Sequence, residues 1–315
     1  MQTVTLNGTD ITGMVTKIEW SGNVEEAARS CSVAYVNAPY DPVVRSLPVP
    51  VLGDYISVSD DGTEIFFGRI NGAEKSSSYG TVSATCVEDS NLLAKNRCKY
   101  NFFGEKTPES ITAAILADFG FPVGHLEATG VSITSMVING DTIIDAIGKA
   151  YGEATKKTGD KYRVYMEGRA VCVEKQGKTA ATYLLSERKN ILESHYTEKS
   201  DNLVNRVVLY DKNGDRKGEI TDGGSMSRYG MYTEIASDEI NVDAGSQGNS
   251  LLNGPEQTLS VKALGNSRCV AGCAVQIEDA ATGIYGTYWI KSDRHVFENN
   301  THTMELELDF KEVSG

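Results

Sequence analysis

Apolar and polar residues alternate with a period of two over most of the first hundred positions, the pattern of half-buried strands. Val4 and Leu6 alternate with Thr3 and Thr5 ahead of a turn at Asn7-Gly8. A second strand is predicted from Met14 to Trp20, ending at Ser21-Gly22. Ser30–Val36 places Cys31, Val33 and Tyr35 on one face. Asp54–Ile70 reads as a hairpin turning at Asp60-Asp61-Gly62-Thr63, where Gly62 tolerates positive φ. A further strand over Thr81–Asp89 precedes the short apolar pair Leu92-Leu93. Strands at this spacing, joined by polar turns, predict a small barrel or sandwich over residues 1–97.

The period changes over residues 98–195. Thr107 can cap a helix, Pro108 suits its first position, and Gly120 lies just past its end. Ile111, Ile115 and Phe119 share one face, with Leu116 beside them. A second helix is predicted from Asp141 with Ile143, Ile144, Ile147 and Tyr151 as its buried stripe. Lys156 and Lys157 suit its C-terminal dipole, and Gly159 can close it. Gly148 and Gly152 inside this helix each cost about 1 kcal/mol against alanine, which predicts close contact with a neighbouring element. A hairpin around Glu167-Gly168 follows, so the block is a small α+β unit.

Residues 196–315 return to strands. Asn205–Ile220 turns at Asn213-Gly214. Residues 221–239, rich in glycine and polar side chains, read as a long loop, and a helix is predicted over Asp243–Asn253 before Pro255. The last strands are Thr258–Leu264, Cys273–Ala280, Gly286–Phe297 and His302–Phe310. In the final one, Met304, Leu306, Leu308 and Phe310 alternate with Glu305, Glu307 and Asp309. The chain therefore reads as mainly β with an α+β insert, in blocks 1–97, 98–195 and 196–315.

Charge narrows the function. The 315 residues carry 43 Asp and Glu against 30 Lys and Arg, a net −13 without a basic run, which speaks against nucleic-acid wrapping and against docking on anionic lipid. No run of 18 apolar residues occurs, so no membrane insertion is expected. The first residues lack a basic start and an apolar signal core, so folding in a reducing cytoplasm is expected. The cysteines at 31, 86, 98, 172, 269 and 273 form no CxxC pair, and Cys31, Cys86 and Cys172 sit in alternating stretches as small buried hydrophobes.

The candidate chemistry is sparse. His295 and His302 flank a turn at Asn299-Asn300, where cross-strand proximity is expected; with Cys269 and Cys273 they are the nearest approach to a metal set. His125 and His195 have no spaced partner. Gly223-Gly224 opens no evident helix, which weakens a phosphate cradle. Glu25-Glu26, Asp60-Asp61 and Glu305/Glu307/Asp309 are explained as solvated turn or strand-face carboxylates, although paired carboxylates can cleave glycosides. Trp20 and Trp289 suit strand positions as well as sugar stacking. No nucleophile elbow, zinc-protease helix, Walker loop or dinucleotide fingerprint occurs. No catalytic, cofactor-binding or metal residue is assigned, and no cofactor is expected.

The order of several segments carries a resemblance. Cys86–Gly124, Asp141–Lys175, Asn205–Gly214, the Arg228-Tyr229-Gly230 region, Leu251–Gly272 and His302–Phe310 together resemble the XkdQ/YqbQ-like family of phage tail baseplate hub proteins. The resemblance implies two small tube-type β-barrel domains flanking the helix/hairpin region. It implies a homotrimeric ring that joins a hexameric tail tube to a trimeric spike in a contractile phage tail, a phage-tail bacteriocin or an injection system. The implied partners are the tube, spike, tape-measure and other baseplate proteins. The implied location is the baseplate of a virion or tail-like particle assembled in the host cytoplasm. No appended hydrolase is expected after the last strand. The alternative reading is a tail-associated cell-wall hydrolase or a cell-wall-binding module.

Overall fold

The structure is a computed structural model that describes residues 2–38, 40–42, 48–76, 80–176, 180–237 and 251–309. The first block forms β1 (Gln2–Leu6), β2 (Thr9–Asp10), β3 (Val15–Asn23), β4 (Ser30–Val36), β5 (Tyr55–Asp60), β6 (Thr63–Ser76) and β7 (Thr81–Glu88). Two of its turns have positive φ at both central residues: 48° and 80° at Asn7-Gly8, 46° and 79° at Asp61-Gly62. This geometry matches the twist of the flanking strands and explains the Asn-Gly and Asp-Gly choices. Strand β3 does not stop at Ser21-Gly22 as predicted. It continues to Asn23 because Gly22 pairs across to Asp293.

The middle block forms α1 (Ser90–Lys95), β8 (Arg97–Lys106), α2 (Pro108–Asp118), β9 (Val123–Leu126), β10 (Ile133–Thr142), α3 (Ile143–Thr158), β11 (Tyr162–Glu167) and β12 (Ala170–Lys175). Thr107 caps α2 in a reciprocal box with Ser110, Thr142 caps α3, and Gly159 closes α3 in the left-handed region. Leu93, Ile111, Ile115, Leu116, Ile138, Ile143, Ile147 and Val171 belong to its own apolar core. The expected close packing at Gly148 and Gly152 is overturned: a Cβ on either would meet nothing within 4 Å. The small residues of the buried stripe are instead Ala146, Ala150 and Ala154. Ile144 is only partly buried, and Phe119 is 37% exposed rather than part of the buried face.

The remaining elements are β13 (Ala180–Ser186), β14 (Ile191–Lys199), β15 (Arg206–Tyr210), β16 (Arg216–Thr221), α4 (Gly223–Tyr229), β17 (Thr233–Ser237), β18 (Glu256–Leu264), β19 (Ala274–Asp279), β20 (Ile284–Glu298) and β21 (Thr301–Asp309). The fold is mainly β. A 13-stranded sheet runs β14-β18-β21-β20-β3-β4-β7-β6-β5-β1-β2, with β19 pairing β20 and β13. The β3–β20 pair thus joins the first strands of the chain to the last. Phe297 of β20 packs in the same core as Val4, Ile18, Val33, Ile56 and Phe66.

The chain divides into two compact units, residues 1–194 with 260–315, and residues 195–259. The smaller unit contains the sheet β16-β15-β17 and α4. Its order corrects the prediction of a loop over 221–239. Asp222 caps α4 by accepting from Ser225 N, and β17 pairs in parallel with β15 from Arg206↔Thr233 to Tyr210↔Ser237. Buried Asn205 organises the turn between them: its amide donates to Gly230 O at 2.7 Å and its Oδ1 accepts from Tyr232 N at 2.8 Å. The pairing is non-local and β17 is largely exposed, so neither element leaves a clear local period. Residues 243–250 of the predicted helix lie outside the described residues.

Candidate functional site

Period-two alternation on β3, β4, β7 and β20 turns one set of side chains inward. Trp20 lies opposite both Cys31 and His295, Cys31 lies opposite Cys86, and Gly22 lies opposite Asp293. Toward one end of these strands the apolar core gives way to buried charge. Arg29, just before β4, donates from Nη1 to Asp293 Oδ1 at 2.9 Å and from Nη2 to Oδ2. The Asp293 side chain is fully buried. It also accepts from Ala271 N at 2.6 Å. The Arg29 guanidinium lies 4.2 Å from the Trp20 ring centroid, a cation–π contact. Glu88, at the end of β7, accepts from Arg29 N at 3.2 Å. Burial raises its carboxyl to about 7 against the opposing pull of Arg29.

A histidine pair extends the network. His295 Nε2 faces Cys269 O at 3.0 Å, with Asp293 Oδ2 at 3.4 Å. A carbonyl only accepts, so Nε2 carries the proton and Nδ1 of the neutral ring is an acceptor. His302 Nε2 therefore donates to His295 Nδ1, at 3.0 Å. Burial lowers both imidazoles, and the second ring lowers His302 further, to about 4. The two rings come together as expected from their positions around Asn299-Asn300, whose φ values of 52° and 59° make the tight β20–β21 turn.

Two glycines make room for this arrangement. A Cβ at Gly22 would overlap the Arg29 guanidinium, and one at Gly265 would overlap the His302 ring. The insert reaches the same place through β11. Arg163 donates from Nη1 to Ala271 O at 2.7 Å and pairs with Glu174. Ala271 thus offers its N–H to the β20 carboxylate and its carbonyl to the insert. The loop 265–273 is where the first strands, the insert and the last strands are tied together. The ion pairs and hydrogen bonds here hold chain to chain, while Trp20 Nε1 and Arg29 Nε have no hydrogen-bond partner. The cysteines are poor nucleophiles: burial raises Cys86 and Cys269 to about 12, and Cys31 well above its ordinary value.

Beside this junction lies a cavity of about 880 Å³. Glu25-Glu26 and Asp60-Asp61 are among its lining residues, and Glu25, Glu26 and Asp61 are exposed. Glu305 and Glu307 do lie on an outer strand face, paired with Lys262, Arg294 and Lys291. Trp20 is 3% exposed and covered by Arg29 and His295, which excludes it from sugar stacking; Trp289 is half-buried. His125 is exposed near Glu127, and His195 is exposed. Gly223 and Gly224 do open a helix, against expectation, but Asp222 already occupies its N-terminus. Among the described residues no three His, Cys, Asp or Glu side chains converge to hold a metal, and no helix is long and apolar enough to cross a membrane. Arg29, Glu88 and Asp293 were missed in the sequence. Asp293 shares the inward parity of His295 and Phe297 on β20, and that parity was the available signal.

The YQBQ-like family model matches residues 18–309, so the chain belongs to that family. The match spans both strands of the β3–β20 pair. A relative, the phage-like element PBSX protein XkdQ of Bacillus subtilis (strain 168), is 26% identical over 301 residues, covering 92% of this chain and 91% of its own. Two solved structures share the fold. The 43 kDa tail protein of prophage MuSo2 from Shewanella oneidensis has a TM-score of 0.71 at 14% identity, with 98% of each chain covered. The E. coli c3393 protein, a type VI secretion system component described as structurally similar to the T4 tail proteins gp27 and gp5, has a TM-score of 0.55 at 11% identity. That likeness covers 97% of this chain and 76% of the other.

Proposed function

We propose that this protein is a structural, non-enzymatic component of a phage-type tail baseplate, and that it forms the hub ring between tail tube and spike. The observation that carries the reading is the near end-to-end match to a protein of a phage-like element, 92% of one chain against 91% of the other. The tail-protein fold likeness and the similarity of one neighbour to gp27 and gp5 support it. The physical character of the junction agrees: its ion pairs and hydrogen bonds tie distant segments together.

In this reading residues 1–97 and 196–315 supply two tube-type barrels and residues 98–195 are the insert. Three copies present six barrels to a six-fold tube and three-fold symmetry to the spike. Tube, spike and tape-measure proteins are the partners, and the particle assembles in the host cytoplasm. The chain's excess of carboxylates suits a lumen through which polyanions or other acidic chains pass without adhering. Crosslinking mass spectrometry on intact particles tests the placement. The expected result is crosslinks from this chain to the tube protein on one side and the spike on the other. Crosslinks confined to the sheath or to the distal fibres would contradict it.

A further inference from the structure

We propose that the outward face of the two-stranded sheet β8–β10 is a docking surface for an acidic amphipathic segment of a partner protein, one that alternates carboxylate and apolar side chains. The proposal does not rest on the hub reading. Alternation along the two strands sets the face. Cys98, Tyr100 and Phe102 of β8, with Met136 and Ile138 of β10, turn into the core of the insert. Arg97, Lys99, Asn101 and Phe103, with Val137 and Asn139, are exposed on the other side.

The first support is apolar. Phe103 is 68% exposed and Val137 is 61% exposed. The pairings Val137↔Asn101 and Ser135↔Phe103 make them diagonal neighbours, near enough for one apolar side chain to cover both. They stand on paired strands whose other face is packed, so neither can turn inward: a slip of one residue would carry the core side chains out. Single exposed apolar residues are ordinary on a protein surface. Here two adjoin, and cations flank them.

The second support is charge. Lys99 lies opposite Asn139 and diagonal to Val137, and Arg97 stands beyond it on the same face. Among the described residues neither forms an ion pair; Arg97 donates to the neutral Gly140 O at 2.7 Å. Of the carboxylates on these two strands, Asp141 is held by Lys149 at 2.7 Å, and Glu105 stands beside Lys106. By contrast, on the 13-stranded sheet Lys262 and Arg294 pair with Glu305, and Lys291 pairs with Glu307. Two unanswered cations on a chain of net charge −13 are complemented by carboxylates from another protein. A second copy does not fit, because self-pairing of this face sets cation against cation. Two cations are also too few to grip a phosphate backbone.

The test is fluorescence anisotropy with the full chain and a labelled octapeptide that alternates aspartate with leucine. Octaglutamate, which has the charge without the apolar side chains, is the control. The alternating peptide should bind saturably in spite of the chain's net negative charge, and octaglutamate should bind about tenfold more weakly. Phe103→Ser should weaken the alternating peptide about tenfold, and Lys99→Glu about fivefold. Both side chains are exposed, so both variants should keep the parent's circular dichroism spectrum. Leu192→Ser, which removes an apolar side chain 54% exposed on β14, should leave the affinity unchanged. A folded parent that ignores the alternating peptide would overturn the proposal. So would equal binding of octaglutamate, an affinity that survives Phe103→Ser and Lys99→Glu, or an equal loss in Leu192→Ser.

Discussion

The insert and the junction are built on opposite principles within one compact unit. The insert closes an apolar core between helices and strands that lie within about eighty residues of each other, with Ile111, Ile115, Ile143 and Ile147 fully buried. The junction joins β3 to β20, some 270 residues apart, and it is filled with an ion pair, two histidines and a carboxyl. Buried charge stabilises little by itself because desolvation offsets the Coulomb attraction, but a half-broken pair is costly. The junction therefore penalises any pairing of β3 and β20 other than the native register. Glycine separates the two regions as well. Gly148 and Gly152 on α3 have open space around them, whereas Gly22 and Gly265 leave the volume that Arg29 and His302 occupy.

The largest effect is expected from Asp293→Ala. It leaves Arg29 buried without its ion-pair partner and should cost about 3–5 kcal/mol in chemical denaturation. An insert core substitution of similar size, Ile147→Ala, should cost about 2–5 kcal/mol through its cavity. The two differ in kind: only the Asp293 variant should be partly rescued by a second change, Arg29→Met. Next is Gly265→Ala, which drives a methyl into the His302 ring and should cost about 1–3 kcal/mol. If Gly265→Ala melts like the parent, the ring is not held where the hydrogen bond to His295 requires.

The pH dependence has two components of opposite sign. His302 titrates near 4 when folded, below its ordinary 6.5. Between those values the unfolded chain binds more protons, so this group's stabilisation is full above about 6.5 and falls as the pH drops toward 4. Glu88 titrates near 7 when folded, above its ordinary 4.5. Its contribution is full below about 4.5 and is lost as the pH rises through 7. Glu88→Gln should therefore gain stability relative to the parent as the pH is raised from 4.5 to 8. A constant difference across that range would show that Glu88 is ionised throughout. The smallest effect is Gly152→Ala, which should raise stability by up to about 1 kcal/mol, read as a shift in thermal midpoint. A loss there would mean that the open face of α3 is covered.

The same contrast explains what was legible in the sequence. The caps Thr107 and Gly159, the two helices and the Asp61-Gly62 hairpin depend on neighbours in the chain, and the sequence predicts them; the start of α3 shifts, from Asp141 to Ile143, because Asp141, in β10, pairs with Cys98. Strands β8, β9 and β10 went unassigned: β8 alternates Cys98, Tyr100 and Phe102, but its partner lies beyond an intervening helix. In the smaller unit, β17 is exposed on most of its length and pairs in parallel across a helix, so propensity had little to say. At the junction the histidine pair was visible from its turn. Its carboxylate, its arginine and the glycines that admit them belong together only once β3 meets β20.

A reconstruction of the intact baseplate by cryo-electron microscopy tests the proposed place of this chain in a tail particle most directly. The expected result is three copies of the chain in one ring at the tube–spike junction, with the β3–β20 pair intact in each. Density for that ring accounted for by another protein, or a ring there with other than three copies of this chain, would contradict it.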